Sequence, residues 1–142
     1  MSDGFSKAER DAMKQRAEEL RSMKGVKGAA KKAKELEACL EAIAELSGTD
    51  REVAERYHVV VTKEAPELDP KTWYGFPSYA KDGKVLTFVQ PASKFDTRYP
   101  TVGFQDVAQL DDGPMWPTSY AVTKWTPAVD KAMRAIVKRA VS

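Results

Sequence analysis

The residues most able to do chemistry in this sequence are aromatic, and they sit in its second half. Trp73, Tyr74, Phe76, Tyr79, Phe88, Phe95, Tyr99, Phe104, Trp116, Tyr120 and Trp125 all fall after residue 72. Rings of this kind stack flat ligands or anchor a protein partner, and Tyr and Trp add a polar tip that can fix orientation. On strands, alternation sends some of them to one face of a sheet and the rest to the other. If helices cover only one face, Trp73, Tyr74, Phe76 and Tyr79 are candidates for an aromatic cluster on the open face. Lys94 and Arg98, with Lys84, are the cations placed to hold an anionic group beside them. The chemistry this implies is non-enzymatic binding of a small anionic ligand or a protein partner.

Other reactive types are sparse. Cys39 is the single cysteine. It falls among apolar residues at helical spacing, where a buried thiol is inert; a reactive one needs exposure and cationic neighbours. His58 is the single histidine, flanked by Tyr57 and Val59, and it supplies no triad or three-ligand metal pattern. Asp111-Asp112-Gly113-Pro114 is acidic but reads as a turn, without the alternating oxygen ligands and closing Glu of a calcium loop. No phosphate-binding glycine loop, zinc spacing or nucleophile elbow is present. That absence points away from familiar hydrolase, kinase and dehydrogenase chemistry.

Charge is balanced overall, with 23 Lys and Arg against 21 Asp and Glu. A global drive toward nucleic acid is therefore not expected. The sharpest local asymmetry runs from Arg21 to Lys34, through Lys24, Lys27, Lys31 and Lys32, and is followed by Glu35, Glu37, Glu41 and Glu45. No aromatic residue lies among these lysines to stack bases. One reading is a solvated elbow; another is charge pairing between the basic half of one copy and the acidic half of a second, making these helices a self-association device. No apolar run approaches the ~18 residues of a membrane span. One cysteine and no signal-like start fit a cytoplasmic protein.

The elements that must position these groups are legible from caps and turns. Ser6 and Glu9 form a capping-box pattern opening a helix from about Lys7 to Lys24. A second helix is expected from about Ala29 to Leu46, with Leu36, Cys39, Leu40, Ile43 and Leu46 as its buried stripe. Thr49 and Glu52 repeat the capping signature, so a third helix should begin at Asp50 and present Val53, Tyr57, Val60 and Val61 to a core, ending near Pro66. Strands follow at about Lys71–Gly75 and Val85–Gln90, a third between Lys94 and Phe104, and a last near Ser119–Thr123. The Asp82-Gly83 pair supplies the positive φ angles of a tight hairpin turn. Thr126 and Pro127 give an N-cap and first-turn proline for a final helix to about Ala140. Helices followed by a run of strands indicate an α+β fold, with helices on one face of an antiparallel sheet. The chain divides into an N-terminal helical extension, residues 1–48, and a domain over 49–142.

Within that domain, Leu68-x-Pro70-Lys71, then Gly75-Phe76-Pro77-x-Tyr79 and Asp82-Gly83-Lys84-Val85, resembles the YdhG-like family of bacterial domains of unknown function. The resemblance covers about Thr49 to Ser142. It implies a frataxin-like arrangement of helices on one side of an antiparallel sheet, and an intracellular iron-chaperone role with iron as the bound metal. In frataxin-type iron delivery the acids lie on the first core helix and the adjacent sheet edge. Carried onto this chain, that places Asp50, Glu52, Glu55 and Glu64 on the corresponding helix, with Glu67 and Asp69 beyond it. Glu52, Glu55 and His58 are then the metal-site candidates, since carboxylate oxygens with an imidazole suit Fe(II). Arg51, Arg56 and Lys63 interleave with these acids, as on an ordinary solvated helix.

Overall fold

A computed structural model describes residues 4–142. Three helices come first: α1 (Lys7–Ser22), α2 (Gly28–Ala44) and α3 (Gly48–Glu64). The capping box of α1 is formed as expected, with Ser6 Oγ accepting from Glu9 N at 3.0 Å and Glu9 Oε1 accepting from Ser6 N at 2.9 Å. The start of α3 differs. It begins at Gly48 with Ser47 at the N-cap, and no side chain caps it. The acid near its start works elsewhere: Asp50 is buried, and its carboxylate accepts from Ala92 N at 2.8 Å and Ser93 N at 3.0 Å. It thereby holds the first amides of a short helix, α4 (Ala92–Phe95).

The sheet has five strands rather than the four expected: β1 (Asp69–Trp73), β2 (Phe76–Lys81), β3 (Lys84–Gln90), β4 (Thr101–Phe104) and β5 (Ser119–Ala121). The additional strand is β2. Tyr74 and Gly75 both take positive φ, 55° and 84°, so the chain reverses at once after β1 and Phe76–Lys81 pair back along it. Asp82 and Gly83 repeat the device at φ 50° and 82°. Lys81 then faces Lys84 in the register expected of a two-residue hairpin. All pairings are antiparallel, and the strand order equals the chain order. One irregularity lies between Tyr79 and Ala80. It inserts an extra residue on β3, so the consecutive residues Leu86 and Thr87 are both buried.

One core fills the space between α2, α3, the final helix α5 (Pro127–Ala140) and one face of the sheet. Cys39, Ile43 and Leu46 meet Val53, Tyr57, Val60 and Val61 there, with Tyr79, Leu86, Val89 and Val102 below and Met133 and Val137 alongside. Helix α2 is rotated from its expected setting. Leu36 and Leu40 face outward at 38% and 46% exposure, while Glu35 and Ala42 take the inward places. Glu35 is kept there by Lys71, 3.4 Å away on β1. The last helix is as expected, with Thr126 Oγ1 accepting from Val129 N at 3.1 Å. It is tied to α3 through Arg134, which donates to Glu64 at 3.0 Å and to Asp130 at 2.7 Å.

The opposite face of the sheet carries a partial cover made by α1 and α4, which contact each other, with α1 also against β1. Its floor is set by a close approach. Phe88 faces Gly103 across β3 and β4, and a Cβ at Gly103 would fall 2.3 Å from the Phe88 ring. The ring lies where a side chain would have been. Gly103→Ala is expected to cost about 1–3 kcal/mol through overpacking, read as a lower midpoint in denaturant titration with an unchanged slope.

Candidate functional site

Strand alternation sorts the aromatic residues into two groups. Trp73 and Phe76 are direct partners across the Tyr74-Gly75 turn. Phe88 lies beside them on the same outer face. The ring centroids are 5.9 Å apart for Trp73 and Phe76, 5.6 Å for Trp73 and Phe88, and 5.5 Å for Phe76 and Phe88. Tyr74 packs on Trp73 at 5.0 Å, and Phe95 from α4 reaches Phe76 at 5.9 Å. Phe76 is buried, whereas Trp73, Tyr74, Phe88 and Phe95 keep part of their surface open. Above them lie Phe5, Ala12 and Met13. Together these residues, with Glu9, Gln90 and Gln105, line a groove of about 460 Å³.

The wall formed by α1 is fastened by one carboxylate. Glu19 accepts from Tyr74 N at 3.1 Å with one oxygen and from Gly75 N at 2.7 Å with the other, and Arg16 Nη1 donates to it at 3.2 Å. A two-residue hairpin turn points its amides outward, and an anionic acceptor satisfies them more strongly than water or a neutral group. Gly75 serves twice here: its φ of 84° favours glycine, and a Cβ would press on Gln15 of α1 at 3.0 Å. Otherwise α1 is weakly held. Its only buried residue is Ala12, and Phe5, Met13 and Leu20 remain exposed.

A second hollow of about 370 Å³ adjoins the groove and shares Ala12, Tyr74 and Phe95 with it. It brings in Lys14 of α1 and Lys94 of α4, with Asp11 and Ser93. Asp11 is paired with Lys7 at 3.4 Å. Neither Lys14 nor Lys94 has an ion pair among the described residues, so the junction carries net positive charge beside an apolar floor.

The sequence-derived candidates therefore separate. Trp73, Tyr74 and Phe76 share the groove, and Lys94 stands in the adjoining hollow. Arg98 lies apart on an exposed segment, its guanidinium 5.3 Å from the centre of the Tyr99 ring. Tyr79 is fully buried on the other side of the sheet. Phe88, Phe95, Met13 and Lys14 complete the site and were not singled out for it. The first two belonged to the aromatic set already, and only the turn at Tyr74-Gly75 shows that they converge with Trp73.

Glu52, Glu55 and His58 do not converge. Successive steps of three residues on a helix turn each side chain about 60° from the last. Glu52 and Glu55 are exposed, and Glu55 pairs with Arg51 at 3.3 Å. His58 Nδ1 is instead 2.9 Å from the Tyr79 hydroxyl. Among the described residues, no group of three or more His, Cys, Asp or Glu side chains is arranged to hold a metal ion.

That Tyr79 hydroxyl belongs to a buried polar set beneath α2 and α3. Cys39 lies beside it, and burial pushes that thiol up to about 11. Burial also raises the phenols of Tyr57 and Tyr79 and lowers the imidazole of His58. These groups are held in their neutral forms and in mutual contact, which is packing chemistry rather than nucleophile activation.

Among the described residues, no helix is long and apolar enough to cross a membrane. No family model, curated protein or solved structure matches the chain. The site rests on its own residues.

Two measurements check this geometry. Glu19→Ala strands two turn amides and releases α1, so a stability loss of about 1–3 kcal/mol is expected, with Glu19→Gln falling between it and the parent chain. The second concerns pH. Because His58 is held below its ordinary value of 6.5, the unfolded chain takes up the proton first, and stability falls as pH drops through that value. His58→Gln should remove this part of the slope. The steeper loss at lower pH stays, because Arg134 holds the carboxyls of Glu64 and Asp130 below their ordinary values.

Proposed function

We propose that the protein is a binding module whose ligand seat is the aromatic groove between α1 and the outer face of the sheet. The observation that carries this reading is the junction of two unlike surfaces. A floor of partly open rings, Trp73, Tyr74, Phe88 and Phe95, runs into a hollow holding Lys14 and Lys94 without carboxylate partners. The groove volume of about 460 Å³ falls in the range of small-molecule sites. A flat apolar body against the rings, with an anionic group turned toward the lysines, uses both surfaces at once. Gln90 and Gln105 in the groove lining add neutral donors and acceptors that orient such a body.

Binding here requires no rearrangement of the core. Trp73, Phe76 and Phe88 are fixed by the paired strands and by each other, so the floor is preorganised and little side-chain entropy is lost on occupation. Met13 supplies an adaptable thioether on the α1 side, suited to rings of differing outline.

The anionic fluorophore 1-anilinonaphthalene-8-sulfonate tests this reading, since it joins a flat apolar body to a single negative group. Titrated into the full chain, it should bind saturably with micromolar affinity and quench Trp emission. Met13→Glu and Lys94→Glu should each weaken binding about tenfold, the loss of ~1.4 kcal/mol expected for one good contact, with melting curves like the parent's. Unsaturable binding, or binding indifferent to both substitutions, overturns the assignment.

A further inference from the structure

Helix α2 carries two apolar stripes, and the fold uses only one. At about 100° per residue, Cys39, Ala42, Ile43 and Leu46 lie on the side turned to the core, where all are buried. Ala29, Ala33, Leu36, Leu40 and Ala44 form a separate line on the outward side, and every one of them is exposed. Their steps of four, three, four and four residues match the seam of two packed helices rather than a scatter of surface residues.

The charges of α2 are also sorted from end to end. Lys27, Lys31, Lys32 and Lys34 precede Glu35, Glu37, Glu41 and Glu45. The helix has no acid in its first turn, no base in its last turn and no side-chain hydrogen bond at its N-cap. This is the reverse of what the helix dipole favours, since its amino end attracts anions and its carboxyl end cations. Among the described residues, little within the chain offsets it. Lys32 reaches Asp69 at 3.7 Å and Lys34 donates to Ser22 O at 2.9 Å, while Glu37, Glu41 and Glu45 have no ion pair among the described residues. A second copy of the same helix, laid antiparallel, brings an acidic half beside each basic half and corrects both ends together.

We infer that the outward face of α2 is a self-association surface, on which two copies of this chain pair antiparallel about a two-fold axis near the middle of the helix. Leu36 of one copy then sits beside Leu40 of the other, twice by symmetry, and the lysine-bearing half of each helix runs alongside the glutamate-bearing half of its partner. The small alanines at either end let the helices approach closely. The apolar seam is short, so the dimer is one of moderate strength whose charge component weakens with salt. This inference does not depend on the aromatic groove, which lies on the far side of α1 and stays open in either state.

Sedimentation equilibrium of the full chain, at low and high salt and over a micromolar to submillimolar range, tests it. The expected result is a reversible monomer–dimer equilibrium that weakens as salt rises. Leu36→Glu together with Leu40→Glu should leave only monomer while the circular dichroism spectrum is kept, because both side chains are already exposed. A parent chain that stays monomeric throughout overturns the proposal, as does a dimer untouched by the leucine substitutions.

Discussion

One hydroxyl, Thr87 Oγ1, joins the layers of this protein. It donates to Gly103 O at 2.8 Å and lies 2.6 Å from the Tyr57 hydroxyl. A threonine has one hydroxyl proton, and the Gly103 carbonyl can only accept, so Tyr57 must be the donor to Thr87. The chain Tyr57 to Thr87 to Gly103 thus runs from α3 through β3 into β4 with every polar atom satisfied. Its direction is fixed by chemistry. In a core that is otherwise mostly apolar, a fully satisfied polar chain allows one alignment of helix on sheet and penalises slippage, since a displaced register strands buried hydroxyls. Tyr79 packs edge-on to Tyr57 at 6.1 Å, and its own hydroxyl meets His58 Nδ1 at 2.9 Å.

The same two strand positions define both faces of the sheet. Thr87 points into the network, while its neighbour Phe88 points the other way, onto Gly103 and into the ring cluster. Gly103 likewise gives its carbonyl to Thr87 and its missing side chain to Phe88. The inner network and the outer aromatic floor are therefore built on adjacent residues of one strand pair, and neither can shift without the other. That coupling is why the groove can be open to solvent and still rigid.

Much of the fold was legible from local chemistry. Ser6 with Glu9, Asp82 with Gly83, and Thr126 with Pro127 each name a cap or turn whose geometry the residue types demand, and all three are present. What was not legible involved choices that local chemistry leaves open. Tyr74 is not a turn residue by type; its positive φ is sustained by Gly75 after it and by the Glu19 carboxylate, 55 residues away in sequence, on its amide. The expected strands Lys71–Gly75 and Val85–Gln90 leave out Phe76–Lys81, which pairs as β2 only because the chain reverses at Tyr74-Gly75. In α2, two apolar stripes compete for the core, and periodicity cannot say which wins. The inward choice of Glu35 is settled by Lys71 on a strand not yet placed. Asp50, expected as the first residue of its own helix, instead caps another. As for the site, Trp73, Tyr74, Phe76 and Lys94 were visible as a composition. Their separation from Tyr79 and Arg98 follows from alternation only once the extra turn is known.

The strand order β1-β2-β3-β4-β5 has a consequence for how the chain reaches this state. Every strand pairs with its neighbour in sequence, two of the four connections are two-residue turns, and no crossover is needed. The sheet can zip from either hairpin with little loop-closure entropy to overcome, which places it toward the fast end for its strand content. The costly closure is left to α5, whose Arg134 must find Glu64 across 70 residues of chain. If that docking comes last, over a sheet already in register, contacts between α3 and α5 set how fast the finished protein opens more than how fast it forms.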